Sequence, residues 1–345
     1  MNKILITGNL GYIGIILTED LLKENYDVIG VDTDFYCDRR LYEFNFKREF
    51  IQLKKDIRKI EVSDIKDVDS IIHLSALSND PLGELNPRLT DKINYEASLR
   101  LAQLAKKAKV KRFLFSSSCS IYGASANSQL TEKSQMNPLS SYAHSKVNFE
   151  IELMKLADEH FSPVILRNGT AYGVSPNIRF DIVVNNLMGW AYTMKEIRIL
   201  SDGRAWRPIV HIKDISHAFI ASLKAPREEI HNEIFNVGIN SENYQVKEIA
   251  YEIQKLMSEC EIKVLGKLNP DERNYHVNFD KISENLRGFK PAWNLKKGIK
   301  ELYDIFKEIN LSYEVFQDKN FTRIKQLNYL LNNKRINSNL FWETN

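Results

Sequence analysis

The amino-acid sequence predicts an α/β chain: a doubly wound parallel sheet of the Rossmann type, followed by a smaller mixed α/β unit. Two observations carry this. Short β-rich runs alternate with longer helical patterns through the first half, and after Gly173 the pattern loosens into loops marked by Pro, Asn and Gly. The runs Lys3–Thr7, Asp27–Val31, Phe50–Leu53, Ser70–Ser75, Arg112–Ser116 and Pro163–Arg167 read as strands. Between them, Tyr12–Glu24, Asn94–Lys107 and Tyr142–Glu159 place apolar residues at helical spacing with charges on the other face. Strands joined through helices run parallel, because the crossover returns the chain to the same edge. Beyond Gly173, helices are expected around Asp181–Thr193, Val246–Ser258 and Leu295–Glu308. The expected units are 1–173, then 174–309 interleaved with the first, then a helical tail 310–345. In the tail Tyr313, Phe316, Phe321, Phe341 and Trp342 stand among many Asn and Lys residues. It reads as a surface helix packed back on the body, with a subunit contact as the alternative.

Composition narrows the function classes. A chain of 345 residues with 43% hydrophobic content can bury a sizeable core. Its 48 Lys and Arg against 45 Asp and Glu are interspersed and leave +3, with no basic run to grip a phosphate backbone, so no nucleic-acid partner is expected. Cys37, Cys119 and Cys260 lack the spacing of a zinc site or a disulfide framework, which points to a reducing cytoplasm. The opening Ile4-Leu5-Ile6 ends at once in Thr7-Gly8-Asn9, as a strand does and a leader does not. No apolar stretch reaches the roughly 18 residues of a membrane span, so no membrane partner is expected.

Thr7-Gly8-Asn9-Leu10-Gly11-Tyr12-Ile13-Gly14 follows the first strand and opens the first helix, the context that a dinucleotide fingerprint requires. Gly8, Gly11 and Gly14 permit the tight turn and a close backbone approach, and a diphosphate then sits by Tyr12 and Ile13 at the positive end of the helix. Asp32 ends the second strand, where a carboxylate accepts from the adenosine ribose hydroxyls and repels a 2′-phosphate. NAD is therefore the expected cofactor, although Arg39 and Arg40 lie close in sequence. Tyr142 and Lys146 share a helix face at i and i+4; an ammonium beside a phenol favours the phenolate and makes the tyrosine a usable general base. Ser116-Ser117-Ser118-Cys119-Ser120-Ile121-Tyr122-Gly123 follows the fifth strand and supplies hydroxyls at the carboxyl edge of the sheet.

Taken together, these motifs resemble the extended short-chain dehydrogenase/reductase family, especially its nucleotide-sugar epimerase and dehydratase branch, from about Met1 to about Glu308. The resemblance implies roles for particular residues. Ser118, Tyr142 and Lys146 are the catalytic set, with Lys146 on the nicotinamide ribose. Asp56-Ile57-Arg58 resembles the segment whose acid approaches adenine, and Leu74-Ser75-Ala76, after His73, the one lining the cofactor. Ser116 also falls beside the cofactor, and Asn94 resembles the asparagine that steadies the central helix. Asn168, Asn185 and Asn186 match substrate-side positions, while Arg207 and Arg273 match arginines that clamp a substrate diphosphate, a task suited to planar guanidinium forks. The implied partner is a nucleotide-diphosphate sugar, and the implied assembly is a homodimer through the helices around Asn94–Lys107 and Tyr142–Glu159.

One departure matters. Dehydratases of this branch carry Asp-Glu after the catalytic hydroxyl residue, whereas this chain has Cys119-Ser120. The expected activity is therefore NAD-dependent epimerisation at C4 through a keto-sugar. A 4-dehydrogenase or 4-ketoreductase is the alternative: Ala171-Tyr172-Gly173-Val174-Ser175-Pro176, with Arg179 and Asp181, also resembles a subset that includes GDP-heptose 4-dehydrogenases. A non-catalytic NAD(H)-binding regulator is a third reading, and the intact Ser118, Tyr142, Lys146 set speaks against it. His73, His144 and His211 are not spaced as metal ligands, so no metal is expected. Cys119 has no paired histidine and reads as structural.

Overall fold

A computed structural model describes residues 3–125, 129–266 and 273–343. Its strands, in chain order, are β1 (Lys3–Thr7), β2 (Asp27–Asp32), β3 (Ile51–Lys54), β4 (Ser70–His73), β5 (Arg112–Ser118), β6 (Ser162–Asn168), β7 (Thr170–Tyr172), β8 (Glu196–Ile199), β9 (Trp206–His211), β10 (Glu233–Val237), β11 (Asn243–Gln245) and β12 (Glu261–Val264). Seven of them form one sheet in the order β10-β6-β5-β4-β1-β2-β3, every neighbouring pair parallel. Strands buried on both faces need unbroken apolar runs, which Ile4-Leu5-Ile6, Ile71-Ile72 and Phe113-Leu114-Phe115 provide. The order reverses between β1 and β4, so the chain leaves their carboxyl ends in opposite directions and a crevice opens there.

Helices of ten residues or more are α1 (Gly14–Lys23), α2 (Ala97–Lys107), α3 (Ser141–Lys155), α4 (Val183–Met194), α5 (Ile212–Lys224), α6 (Val246–Leu256), α7 (Leu295–Glu308) and α8 (Arg323–Asn332). Leu17 and Leu21 of α1 and Phe219 of α5 cover one face of the sheet. Leu101 of α2, Phe149 and Leu153 of α3, and Leu327 and Leu330 of α8 belong to the core on the other. A third core joins α4, α6 and α7 over the small β8–β12 pair, while β11-β9-β7 forms a separate sheet.

Several elements differ from the sequence reading. Strand β4 ends at His73, because beyond it the Ser75 amide turns to Thr7 Oγ1 (3.3 Å) and the Leu77 amide to Asn94 Oδ1 (2.8 Å). Helix α2 is preceded by a wide π-type turn over Lys92–Glu96, and α3 begins one residue early because Ser140 Oγ accepts the Ala143 amide at 3.1 Å. Elements β10 and α5 lie in the second half of the chain yet complete the main sheet and its cover.

Helix α3 is fixed by a buried charge pair. Arg167 of β6 lays its guanidinium on Glu150 of α3 (2.6 Å, with further contacts at 3.1 and 3.2 Å), and both side chains are almost wholly inaccessible. Ser117 donates to the same carboxylate, and Arg167 also donates to Tyr122 Oη at 3.0 Å. Breaking a buried pair from one side leaves an uncompensated charge and destabilises by about 3–5 kcal/mol, whereas an apolar replacement of both partners is often neutral. Glu150→Ala is therefore expected to lose about that much in urea unfolding, and Glu150→Leu with Arg167→Met to recover most of it. Equal losses in the two variants would show that packing, not charge, holds the helix.

Candidate active site

A cavity of about 1040 Å³ occupies the carboxyl edge of the sheet. Gly8, Gly11, Tyr12, Ile13 and Gly14 form one wall, and Asp32, at the end of β2, stands beside them. Asp56 and Ile57 border the cavity beyond β3, and Leu74, Ser75 and Ala76 beyond β4. Glycine is required in that wall. Gly8 has φ +74° and a Cβ there would meet Ser75 N at 2.9 Å, while a Cβ on Gly14 would fall 2.1 Å from Gly8 O. No side chain caps the start of α1, so its amide dipoles remain available to an anion. Asp32 accepts from Leu10 N (3.1 Å) and Asp34 N (2.9 Å); burial raises its pKa against the pull of these two bonds. A dinucleotide fits this arrangement: glycines where its backbone must approach, an open helix end for its phosphates, a carboxylate for its ribose.

Asn94 stays out of the cavity and shapes it. Its amide group brackets Leu77 through Oδ1 (2.8 Å) and Nδ2 (3.2 Å) and reaches Ser145 Oγ of α3 at 3.2 Å. His73 is likewise structural, held between Thr7 Oγ1 and Ser98 Oγ at 2.7 Å each; burial pushes its pKa down to about 3 and keeps the ring neutral.

Ser116, Ser118, Tyr142 and Lys146 line the cavity together. Strand β5 delivers the serines and the first turns of α3 deliver the other two. Ser118 stands near Tyr142, close enough to favour its phenolate. Lys146 Nζ donates to the Ser116 carbonyl at 2.8 Å and lies 5.7 Å from the centre of the Tyr142 ring. The expectation that Lys146 lowers the Tyr142 pKa is not met in the ligand-free chain. Burial raises that pKa, the Asp80 carboxylate adds to the rise, and the opposing pull comes from Ser118 and Arg179. Burial also pushes the Lys146 ammonium down to about 7.

Asn168 lines the cavity next to Ser116, donating to its Oγ at 3.0 Å, and Asn186, Arg207 and Arg273 line it as well. Arg207 donates to the Arg273 carbonyl at 2.6 Å, and Arg273 pairs with Asp80, so the two arginines are built into one corner. Asn168 Oδ1 is buried without a partner. Asn185 turns away from the cavity: it is fully buried, accepts the Gly173 amide at 3.1 Å and donates to Tyr12 Oη at 2.9 Å. Three residues that carried no role in the motif reading also line the cavity: Asp80, Arg179 and Arg323. Arg179 is paired with Asp181 at 2.8 Å and touches Ser78, and Arg323 arrives from α8. Short polar turns such as Asn79-Asp80-Pro81 and a lone arginine in an Asn-rich tail give no sequence signal for such a position.

Residues 4–238 match the model of the NAD dependent epimerase/dehydratase family. The chain belongs to that family. Among its relatives, a UDP-glucuronate 4-epimerase of Thermodesulfobacterium geofontis is 28% identical over 315 residues, covering 87% of this chain and 94% of its own. A human dTDP-D-glucose 4,6-dehydratase is 24% identical over 313 residues (87% and 88%). The crystal structure of the UDP-glucuronic acid 4-epimerase of Bacillus cereus, with UDP-glucuronic acid and NAD, superposes with TM-score 0.76 at 25% identity, covering 89% of this chain and 99% of that one. NAD is thus the cofactor of this family member, and the glycine wall and Asp32 suit it.

This chain buries Cys119 completely, with Sγ donating to Arg167 O at 3.2 Å, and burial raises the thiol pKa. Ser120 borders the cavity with a buried hydroxyl that has no partner. Among the described residues no group of three His, Cys, Asp or Glu could hold a metal, and no helix is long and apolar enough to cross a membrane.

The lowered Lys146 pKa makes a thermodynamic prediction. Between about 7 and the usual lysine value the unfolded chain binds more protons than the folded one, so stability rises with pH through that window. Lys146→Met removes this term. In nucleotide-free protein the variant should be more stable than wild type at pH 6, by on the order of a few kcal/mol, and the gap should shrink by pH 10. A pH-independent gap would mean that the ammonium is not desolvated.

Proposed function

We propose that this chain epimerises a nucleotide-diphosphate sugar at C4 by oxidation to a 4-keto-sugar and reduction on the opposite face. The observation that carries the reading is the meeting of Ser118, Tyr142 and Lys146 with Arg207 and Arg273 across one cavity that also holds the glycine wall. Tyr142 Oη takes the proton of the C4 hydroxyl, and Ser118, which lines the cavity beside it, steadies the same oxygen. Lys146 stands against the carboxyl end of β5, its ammonium on the Ser116 carbonyl, where it reaches both the tyrosine and the cofactor ribose. When bound, NAD supplies the acceptor for the C4 hydride and a positively charged ring that favours the phenolate. Arg207 and Arg273 hold the substrate diphosphate, so the sugar can turn about that anchor. Asn168 and Asn186 complete the substrate side.

The same wall disfavours dehydration. Elimination of water needs an acid and a base beside C5 and C6, and Cys119 and Ser120 supply neither: the thiol is sealed from the cavity and the hydroxyl does not titrate near neutral pH.

The proposal includes a homodimer through α2 and α3, which lie against each other and leave Ile151 of α3 44% exposed. Sedimentation should then report two chains for wild type and one for Ile151→Glu; two chains in both would place the contact elsewhere.

Tyr142→Phe deletes one hydroxyl and keeps the ring. It should lower turnover of the cognate sugar nucleotide by roughly 10² to 10⁴ while NAD affinity stays within a few fold. Arg207→Ala should instead raise KM with the smaller effect on kcat. The check is transient NADH absorbance on mixing with a panel of nucleotide sugars, with the C4 configuration of the product read by NMR. Near wild-type NADH formation in Tyr142→Phe would remove the tyrosine from the chemistry, and NADH released in step with product would point to net oxidation.

A further inference from the structure

The C-terminal segment is not folded against a random part of the body. Trp342 Nε1 donates to Thr33 O at 2.6 Å, Gln326 Nε2 donates to Phe35 O and Asp38 Oδ2 at 3.1 Å each, and Arg335 reaches Asp38 at 3.2 Å. From the neighbouring loop, Arg58 donates to Asn339 O at 2.8 Å and stacks on Phe341 at 3.8 Å. Every one of these contacts falls on the loops that follow β2 and β3, the loops around Asp32 and Asp56. The first residue of α8, Arg323, continues from there into the cavity.

Arg323 is 97% buried, since only 3% of it is accessible. Its guanidinium stacks on the Tyr36 ring at 4.2 Å, and Nη2 makes one long contact to Asn177 O at 3.5 Å. Nη1 has no partner, and no described carboxylate lies within ion-pairing distance. A buried cation in that state is costly unless a ligand completes it. Burial and the nearby Arg179 both work against its charge. Its place along the cavity follows from Asn177, which accepts from Arg323 Nη2 and donates through Nδ2 to Leu10 O in the β1–α1 turn, whose Leu10 amide is in turn held by Asp32. Arg323 therefore enters the cavity beside the glycine wall and Asp32.

We infer that Arg323 is a diphosphate ligand of the dinucleotide, joining the α1 amides at the glycine wall, and that the tail is the strap that delivers it. The inference rests on the NAD reading. The middle of a dinucleotide is its diphosphate, and the N–H edge of a guanidinium matches phosphate oxygens with charge-assisted, forked hydrogen bonds.

The test uses the full chain stripped of nucleotide, with calorimetric titration of adenosine, ADP and NAD into wild type, Arg323→Met and Arg323→Gln. Charge-assisted bonds to a phosphate predict that both variants lose roughly 10- to 100-fold for ADP and NAD and keep the wild-type affinity for adenosine. Trp342 fluorescence, quenched or shifted on exposure, reports whether the tail stays docked. Unchanged ADP affinity in a variant with a docked tail overturns the inference. Equal losses for adenosine and ADP overturn it too, since they mean that Arg323 only props the loop around Tyr36. Failure of wild type itself to bind NAD is a different result and sinks the cofactor reading beneath it.

Discussion

The Arg167–Glu150 pair is the constraint on which the site depends. Helix α3 carries Tyr142 and Lys146 at its start and Glu150 two turns later, so anchoring Glu150 fixes the axial position of both. The anchor is itself part of the sheet, because Arg167 lies on β6 beside β5, whose last residues are Ser116, Ser117 and Ser118. Ser117 joins the pair directly, which leaves its neighbours on the strand, Ser116 and Ser118, facing the cavity. A hydroxyl, a phenol and an ammonium thus converge because one buried carboxylate is shared between a helix and a strand.

Burial that creates the site also sets the state in which it waits. Tyr142 and Lys146 are both removed from water, and for both the neutral form is favoured, the phenol protonated and the amine losing its proton near 7. Such a pair is poorly charged when alone.

Much of this was legible in the sequence, for physical reasons that can be named. The central strands β1, β4 and β5 announce themselves because strands buried on both faces carry apolar runs, and the glycine wall because no Cβ fits beside Gly8 O or Ser75 N. Helix α5 was passed over although its apolar residues follow helical spacing and ten of its residues are buried. Strand β10 escaped because it is short and carries Asn236, whose amide is satisfied by Leu130 O and Asn278 O only in the folded chain. The motif also misplaced Asn185. Spacing alone could not reveal that its side chain turns inward to Tyr12 and Gly173. The raised Tyr142 pKa was equally hidden, since i,i+4 spacing reports proximity and says nothing of desolvation or of Asp80, which comes from a distant turn.

What the cavity binds is written most directly in its unfinished bonds. Buried polar atoms are almost always satisfied, so those that are not call for a partner from outside the chain. Three such atoms border this cavity: Arg323 Nη1, Asn168 Oδ1 and Ser120 Oγ. They are not interchangeable. The guanidinium is a donor of fixed charge, the amide oxygen only accepts, and the hydroxyl can do either. A ligand that satisfies all three presents an anion towards α8 and hydroxyl groups towards β6 and the turn after β5. A dinucleotide diphosphate and the hydroxyls of a sugar have that chemistry in that order. A fixed charge beside α8 and uncharged acceptors and donors beside β6 and β5 differ in kind, so the orphaned atoms suit a cofactor phosphate in one half of the crevice and sugar hydroxyls in the other.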